Sequence, residues 1–256
     1  MRFYDQRHEF YCGIDLHARK MYVCIIDAQG KTKVHQNLDT DPALLFDAIF
    51  PYLEDIVIGV ECMFAWYWIA DFCSEHMIPF VLGHALYMKA IHGSKTKNDK
   101  IDSHKIAVLL RGGMIPMAYV YPQEMRSTRD LLRRRMHFMY KRSELLSHIQ
   151  NTRSQYNLPE FNKCISRKRN RAGISEQFED KSVRKSIELN LTLLKQYDSL
   201  LNDVELYLVR HTKDHRPNDL YLLRTIPGVG KILSLVILYE IQDISRFQRV
   251  QNFSSY

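Results

Sequence analysis

Phe10-Tyr11-Cys12-Gly13-Ile14-Asp15-Leu16 is the stretch on which the reading of this chain turns. It is rich in strand formers and carries a carboxylate inside the run. Alternation along a strand sets Asp15 on the face opposite Ile14 and Leu16. Aspartate is a poor strand former, and a mid-strand carboxylate needs partners or a cation. Met21-Tyr22-Val23-Cys24-Ile25-Ile26 is a second apolar run. Asp27-Ala28-Gln29-Gly30 then supplies turn chemistry, and Thr32 to Gln36 can return as a third strand. Three consecutive antiparallel strands are the economical reading.

Moving outward, Asp41 is a helix N-cap with Pro42 at the first helical position, where a missing N–H costs nothing. Leu44, Leu45, Ala48, Ile49 and Leu53 recur at helical spacing. Ile56-Val57-Ile58-Gly59-Val60 is a continuous apolar run, as in a strand covered on both faces, and Glu61 ends it. A helix from about Phe64 to His76, a strand over Ile78–Leu82 and a helix over Ala85–His92 follow. After the polar loop Gly93-Ser94-Lys95-Thr96-Lys97-Asn98, Asp99 and Asp102 open a helix that runs to about Arg111. The order βββαβαβα predicts an α/β fold: a mixed five-stranded sheet with helices on both faces. Strand C-termini and adjoining helix N-termini converge at one edge of such a sheet.

That edge gathers Asp15, Glu61, Asp99 and Asp102, the candidate catalytic and metal-ligating residues. Asp99 and Asp102, at i and i+3, share a face of one helical turn. Four acids brought together resist joint ionisation, and a divalent cation resolves the conflict. Carboxylate oxygens suit Mg²⁺ or Mn²⁺, and two such ions can clamp the attacking and leaving oxygens of a phosphodiester. Taken singly, each acid has a bland reading as a solvated or helix-dipole residue; their shared position favours a site. His17, two residues past Asp15, points to the same face and can touch a metal-bound water. No histidine spacing fits a zinc site.

Gly13-Ile14-Asp15-Leu16-His17, Val60-Glu61 and the run Lys95-Thr96-Lys97-Asn98-Asp99-Lys100-Ile101-Asp102 together resemble the DEDD-type insertion-sequence transposases, relatives of the Piv DNA invertase. The likeness continues through the basic helix into Ile226-Pro227-Gly228-Val229-Gly230. It implies an N-terminal domain similar to RNase H and the junction resolvase RuvC, a DEDD centre with Mg²⁺, and DNA strand cleavage and exchange in transposition. It further implies guidance by a structured RNA and assembly into a dimer or tetramer. The family's nucleophilic serine lies beyond the segment similar to Arg246-Phe247 through Tyr256, so the sequence is read as ending before it. Ser254 and Ser255 precede that position and are not assigned the role.

The chain of 256 residues has 36 Lys+Arg against 29 Asp+Glu, and the surplus is local: Glu124 to Arg171 holds thirteen Lys/Arg and four Asp/Glu. A basic block of that kind is a polyanion-binding candidate, because each neutralised phosphate releases a condensed counterion. Arg129, Arg133, Arg134, Lys141 and Arg142 on a long helix, and Arg167, Lys168 and Arg169 in a loop, are the candidate RNA- or DNA-binding cations, favoured by the lack of nearby acids. A solvated charged face is the bland alternative. From Glu176 to His211, Ile187, Leu191, Leu194, Leu201 and Leu208 approximate a heptad seam that Asp198 breaks once, which predicts an antiparallel coiled coil or core packing. The turn at Gly228, Gly230 and Lys231 resembles a helix-hairpin-helix that brings backbone N–H groups to a phosphate; a tight turn between helices fits equally. It departs from nucleotide-binding loops at Thr225, Ile232 and Leu233.

Three segments are thus expected: 1–120 as the RuvC/RNase H-like domain, 121–215 as a basic helical coiled-coil linker, and 216–256 as a partial, all-α C-terminal transposase domain. Five cysteines without CxxC spacing point away from a disulfide framework and toward a cytoplasmic protein. No apolar stretch reaches the ~20 residues of a membrane helix. Two rivals stay open beside the transposase: a RuvC-like junction nuclease, and a truncated RNA- or DNA-binding remnant without recombination.

Overall fold

The alternation read in the opening strands becomes a two-faced sheet in the computed structural model, which describes residues 2–92, 99–161, 163–211 and 216–256. β1 (Phe10–Leu16), β2 (Lys20–Asp27) and β3 (Thr32–Asp39) form the antiparallel meander. β4 (Ile56–Glu61) and β5 (Phe80–Gly83) add in parallel on the other side of β1, giving the order β3-β2-β1-β4-β5. α1 (Pro42–Ile49) follows β3, α2 (Trp66–Glu75) joins β4 to β5, and α3 (Ala85–His92) and α4 (Asp99–Arg111) come after β5. A mixed five-stranded sheet with flanking helices is the architecture of the RNase H/RuvC-like class.

Local chemistry sets the ends of these elements. The Asp41 carboxylate accepts from the N–H groups of Ala43 at 2.8 Å and Leu44 at 3.3 Å, capping α1. β5 starts at Phe80 rather than Ile78, because Pro79 has no N–H to give; its carbonyl instead accepts from Ile58 N at 2.9 Å. α2 starts at Trp66 rather than Phe64, whose ring is exposed.

Each face of the sheet has its own core. Cys12, Ile14, Leu16, Val23, Ile25, Ile58 and Val60 pack with Leu45 and Ile49 of α1 and with Ile69, Phe72 and Cys73 of α2. On the opposite face Tyr11, Cys24, Ile26, Val57 and Val81 meet Ile106, Ala107, Leu109 and Leu110 of α4. α4 comes very close to the sheet here. A Cβ on Gly13 would stand 2.2 Å from the Ser103 carbonyl oxygen and 2.4 Å from the Ala107 nitrogen. Gly59, the register partner of Gly13 on β4, would put a Cβ 2.5 Å from Leu110 Cδ1. Two glycines side by side therefore form the seat of α4, and Asp15 and Glu61 each lie two residues further along the same strands, on that same face.

Residues 1–123 form one compact unit and residues 124–256 another. The second is built on α5 (Gln123–Gln155) and α6 (Lys181–His211). The pairs Arg135 with Glu205, Arg142 with Asp198, and His148 with Asn190 step in opposite directions along the two helices, so they run antiparallel. Ile187, Leu194, Leu201 and Leu208, seven residues apart, are all buried. The seam starts later than Glu176. Asp180 accepts from Ser182 N and Val183 N and caps α6, while Ser175–Gln177 forms a separate 3₁₀ turn with Phe178 buried beside it. Met125 and Leu132 of α5 and Leu208 of α6 pack with Leu235, Leu238 and Tyr239 of α8 (Lys231–Ile241). α7 (Pro217–Thr225) precedes α8, and α9 (Val250–Ser254) follows it. No helix among the described residues is long and apolar enough to cross a membrane.

Candidate metal centre

Asp15 stands at the penultimate position of β1, its side chain 16% exposed. The strand ends at Leu16, and the turn into β2 is held by the His17 N–H, which donates to Lys20 O at 2.9 Å, and by Thr40 Oγ1, which donates to His17 O at 3.0 Å. His17 Nε2 then lies 3.6 Å from Asp15 Oδ2 and 3.7 Å from Asp99 Oδ1 in the first turn of α4. One ligand atom from each of Asp15, His17 and Asp99 falls within 4.8 Å of the others.

Asp102 sits one helical turn past Asp99 and is ion-paired with Lys105 at 3.1 Å. Glu61 ends β4, where Cys62 N–H donates to Gly83 O. Burial lifts the Asp15 carboxyl above the ordinary carboxylate range; His17 opposes the rise, and the charges of Asp99, Asp102 and Glu61 add to it. The charges of Asp99, Asp102 and Glu61 thus all reach Asp15, while among the described residues only Asp15 and Asp99 join the tight group with His17. The polar loop Gly93–Asn98, with Lys95, Thr96 and Lys97, lies outside the described residues.

α4 is steadied from β3 as well. His35 Nε2 donates to Lys100 O at 2.9 Å, and its ring meets Tyr22 edge-on and lies near His104. Carboxylates of β1 and α4 and one imidazole therefore meet at this edge of the sheet, with the Glu61 charge at the end of β4 felt at Asp15. A donor set of carboxylate oxygens with one imidazole, around a largely buried Asp15, fits a divalent cation.

Residues 12–157 match a transposase family of the DEDD type in the IS110 group, and residues 220–256 match the transposase family IS116/IS110/IS902. The first match spans more than half of the chain. The chain belongs to the IS110 family of DEDD transposases. No curated protein matches it.

An IS110-type transposase acts on DNA, and its second unit has to be read with that in view. The expectation that α5 lacks compensating acids is not met, because the acids come from distant helices. Arg129 and Arg133 both bind Glu240 of α8, at 3.0 and 2.7 Å. Arg142 and Arg171 share Asp198 of α6, at 2.7 and 2.6 Å, and both also donate to Ser166 O. Burial raises the Asp198 and Glu240 carboxyls, but the paired guanidiniums outweigh it and hold both below their ordinary values. Arg129 is buried and serves helix packing. Arg134, Lys141, Arg167, Lys168 and Arg169 are exposed, Arg134 lying over the Phe138 ring and Lys141 paired with Glu144.

In the transposase's last segment, Gly228 has φ +86° and Gly230 precedes α8 in extended conformation. Nothing lies within 4 Å of a Cβ built on either glycine, and Lys231 is exposed beside them. The space beside both glycines is open. What sequence reasoning misses are the partners: Glu240, Glu205 and Asp198 are separated by 27 to 111 residues from the arginines they bind.

Proposed function

We propose that this transposase cleaves and rejoins DNA strands during transposition of an insertion sequence, using Asp15, Glu61, Asp99 and Asp102 to hold Mg²⁺ or Mn²⁺, with a structured RNA as guide. The observation that carries the reading is the gathering of ligand atoms of Asp15, Asp99 and His17 within 4.8 Å, with the charges of Asp99, Asp102 and Glu61 acting on Asp15, in a chain whose family is that of DEDD transposases. A divalent ion in such a site polarises a phosphoryl oxygen and makes a water or hydroxyl a better nucleophile. The chain's own part is placement. Gly13 and Gly59 let α4 reach the sheet, α4 brings Asp99 and Asp102 to the strand ends, and Lys105 balances Asp102.

Arg133, Arg134, Lys141, Arg167, Lys168 and Arg169 are proposed to bind RNA or DNA backbone, and Gly228, Gly230 and Lys231 a phosphate at the α7–α8 turn. Arg129 and Arg142 would act indirectly, by fixing the helices that carry those cations. The functional segments are read as 1–120, 121–215 and 216–256, with the antiparallel helix pair as the surface through which copies form a dimer or tetramer. The test is strand cleavage of insertion-sequence-end DNA by the purified protein, with sequencing of any RNA that copurifies. A discrete RNA and ion-dependent cleavage that disappears in Asp15→Asn support the reading. Cleavage unchanged in that variant removes Asp15 from the site, and cleavage with no RNA favours a junction nuclease.

A further inference from the structure

We infer that His17 is a direct ligand of the ion, so that the centre is a mixed nitrogen–oxygen site that prefers Mn²⁺ and later first-row ions over Mg²⁺. The inference rests on the reading of the carboxylates as a metal centre and extends it to a residue outside the four acids.

Three observations carry it. First, His17 Nε2 stands between two of the carboxylates, 3.6 Å from Asp15 Oδ2 and 3.7 Å from Asp99 Oδ1. Both separations exceed a hydrogen bond, so the imidazole is not simply consumed by either acid. They fall between the spacings of adjacent and opposite donors around a six-coordinate ion, roughly 3 and 4.2 Å for ligand bonds of about 2.1 Å. Second, the position is built. Backbone N–H and C=O of His17 are both bonded, to Lys20 O and from Thr40 Oγ1, so the residue is fixed just beyond the strand. Third, Leu16 turns into the opposite core, which keeps Asp15 and His17 on one side at i and i+2.

Chemistry gives the consequence. Neutral imidazole is a borderline ligand whose contribution grows along Mn²⁺, Fe²⁺, Co²⁺ and Ni²⁺, whereas Mg²⁺ takes oxygen donors and retains water. Losing His17 should therefore weaken Mn²⁺ by at least about tenfold, the lower end of what even an outer-sphere partner contributes, and leave Mg²⁺ within about threefold.

The test is pulsed EPR of Mn²⁺ on the full chain labelled with ¹⁵N-histidine, alongside Mn²⁺ and Mg²⁺ titrations of wild type, His17→Ala and His17→Gln. A histidine-nitrogen coupling in the wild type that vanishes in both variants, with Mn²⁺ still bound more weakly, establishes the ligand. Bound Mn²⁺ with no nitrogen coupling, or a coupling that survives in His17→Ala, overturns the role of His17 and leaves the carboxylate centre standing. Absence of stoichiometric Mn²⁺ binding in the wild type overturns the metal centre itself. Circular dichroism of each variant confirms that a loss is not one of fold.

Discussion

Gly13 lies directly beneath Ser103: a single added methyl group at residue 13 would come within 2.2 Å of the Ser103 carbonyl oxygen. The glycine in the Gly-Ile-Asp run is therefore not a nucleotide-loop or turn feature. It is the point at which the helix carrying Asp99 and Asp102 is allowed onto the strand carrying Asp15.

Gly13→Ala is expected to push α4 away from β1, since the obstructing atoms are backbone and cannot rotate aside. The cost is about 1–3 kcal/mol, typical of overpacking, or somewhat more. Divalent-ion affinity should fall with it, because Asp99 and His17 separate. Denaturant unfolding and an ion titration on the same variant check both; full stability with full affinity would show that α4 has room to spare.

Asp198→Ala is expected to destabilise the second unit by about 3 kcal/mol, because it strands Arg142 and the buried Arg171 without their shared acid. Asp198→Leu should not restore stability, although it continues the apolar seam of α6. Urea unfolding of the two variants measures this, and recovery in the leucine variant would mean that the seam outweighs the ion pairs.

The same pair sets a pH dependence. The Asp198 carboxyl is held below its unfolded-state value by Arg171 and Arg142, despite burial that acts the other way. A depressed acid contributes stability that is complete above the ordinary carboxylate range and is lost as pH falls through the lowered value. Acid unfolding of wild type should therefore be steeper below about pH 4 than that of Asp198→Asn. Superimposable acid transitions would show that Asp198 carries no such linkage.

These pairings mark the limit of what the sequence discloses. The sheet is legible because strand alternation, the Asp41 cap and the apolar run at Ile56–Val60 are local signals. Asp15 can be placed on its face from period alone, and Asp99 and Asp102 from helical spacing. Asp198 reads as a flaw in a heptad, and only the folded chain shows two arginines, from α5 and the following loop, closing on it. Asp180 escapes notice as the cap of α6 because the helical pattern runs on upstream of it. His17 is legible as a neighbour of the acids, but its place between Asp15 and Asp99 depends on how α4 lands.

Nucleic-acid binding should separate the exposed cations from the packed ones. Replacing Arg167, Lys168 and Arg169 together by alanine is expected to reduce the slope of log binding constant against log salt by about 0.7–0.9 for each phosphate no longer neutralised, with the fold intact. Arg129→Ala should instead lower stability, since it leaves Glu240 with one partner fewer, and should change the slope little. Filter binding of RNA across a salt series distinguishes them; an unchanged slope in the triple variant would assign the loop to solvent.

That Asp15, Glu61, Asp99 and Asp102 serve one ion-binding centre is tested most directly by calorimetric titration of Mn²⁺ into Asp15→Asn, Glu61→Gln, Asp99→Asn and Asp102→Asn. Each variant is expected to fold, and Asp15→Asn to be at least as heat-stable as wild type without metal. Every one of the four should lose about tenfold or more in affinity. Wild-type affinity in Glu61→Gln or Asp102→Asn would contradict a four-acid centre, leaving a site made only of Asp15, His17 and Asp99.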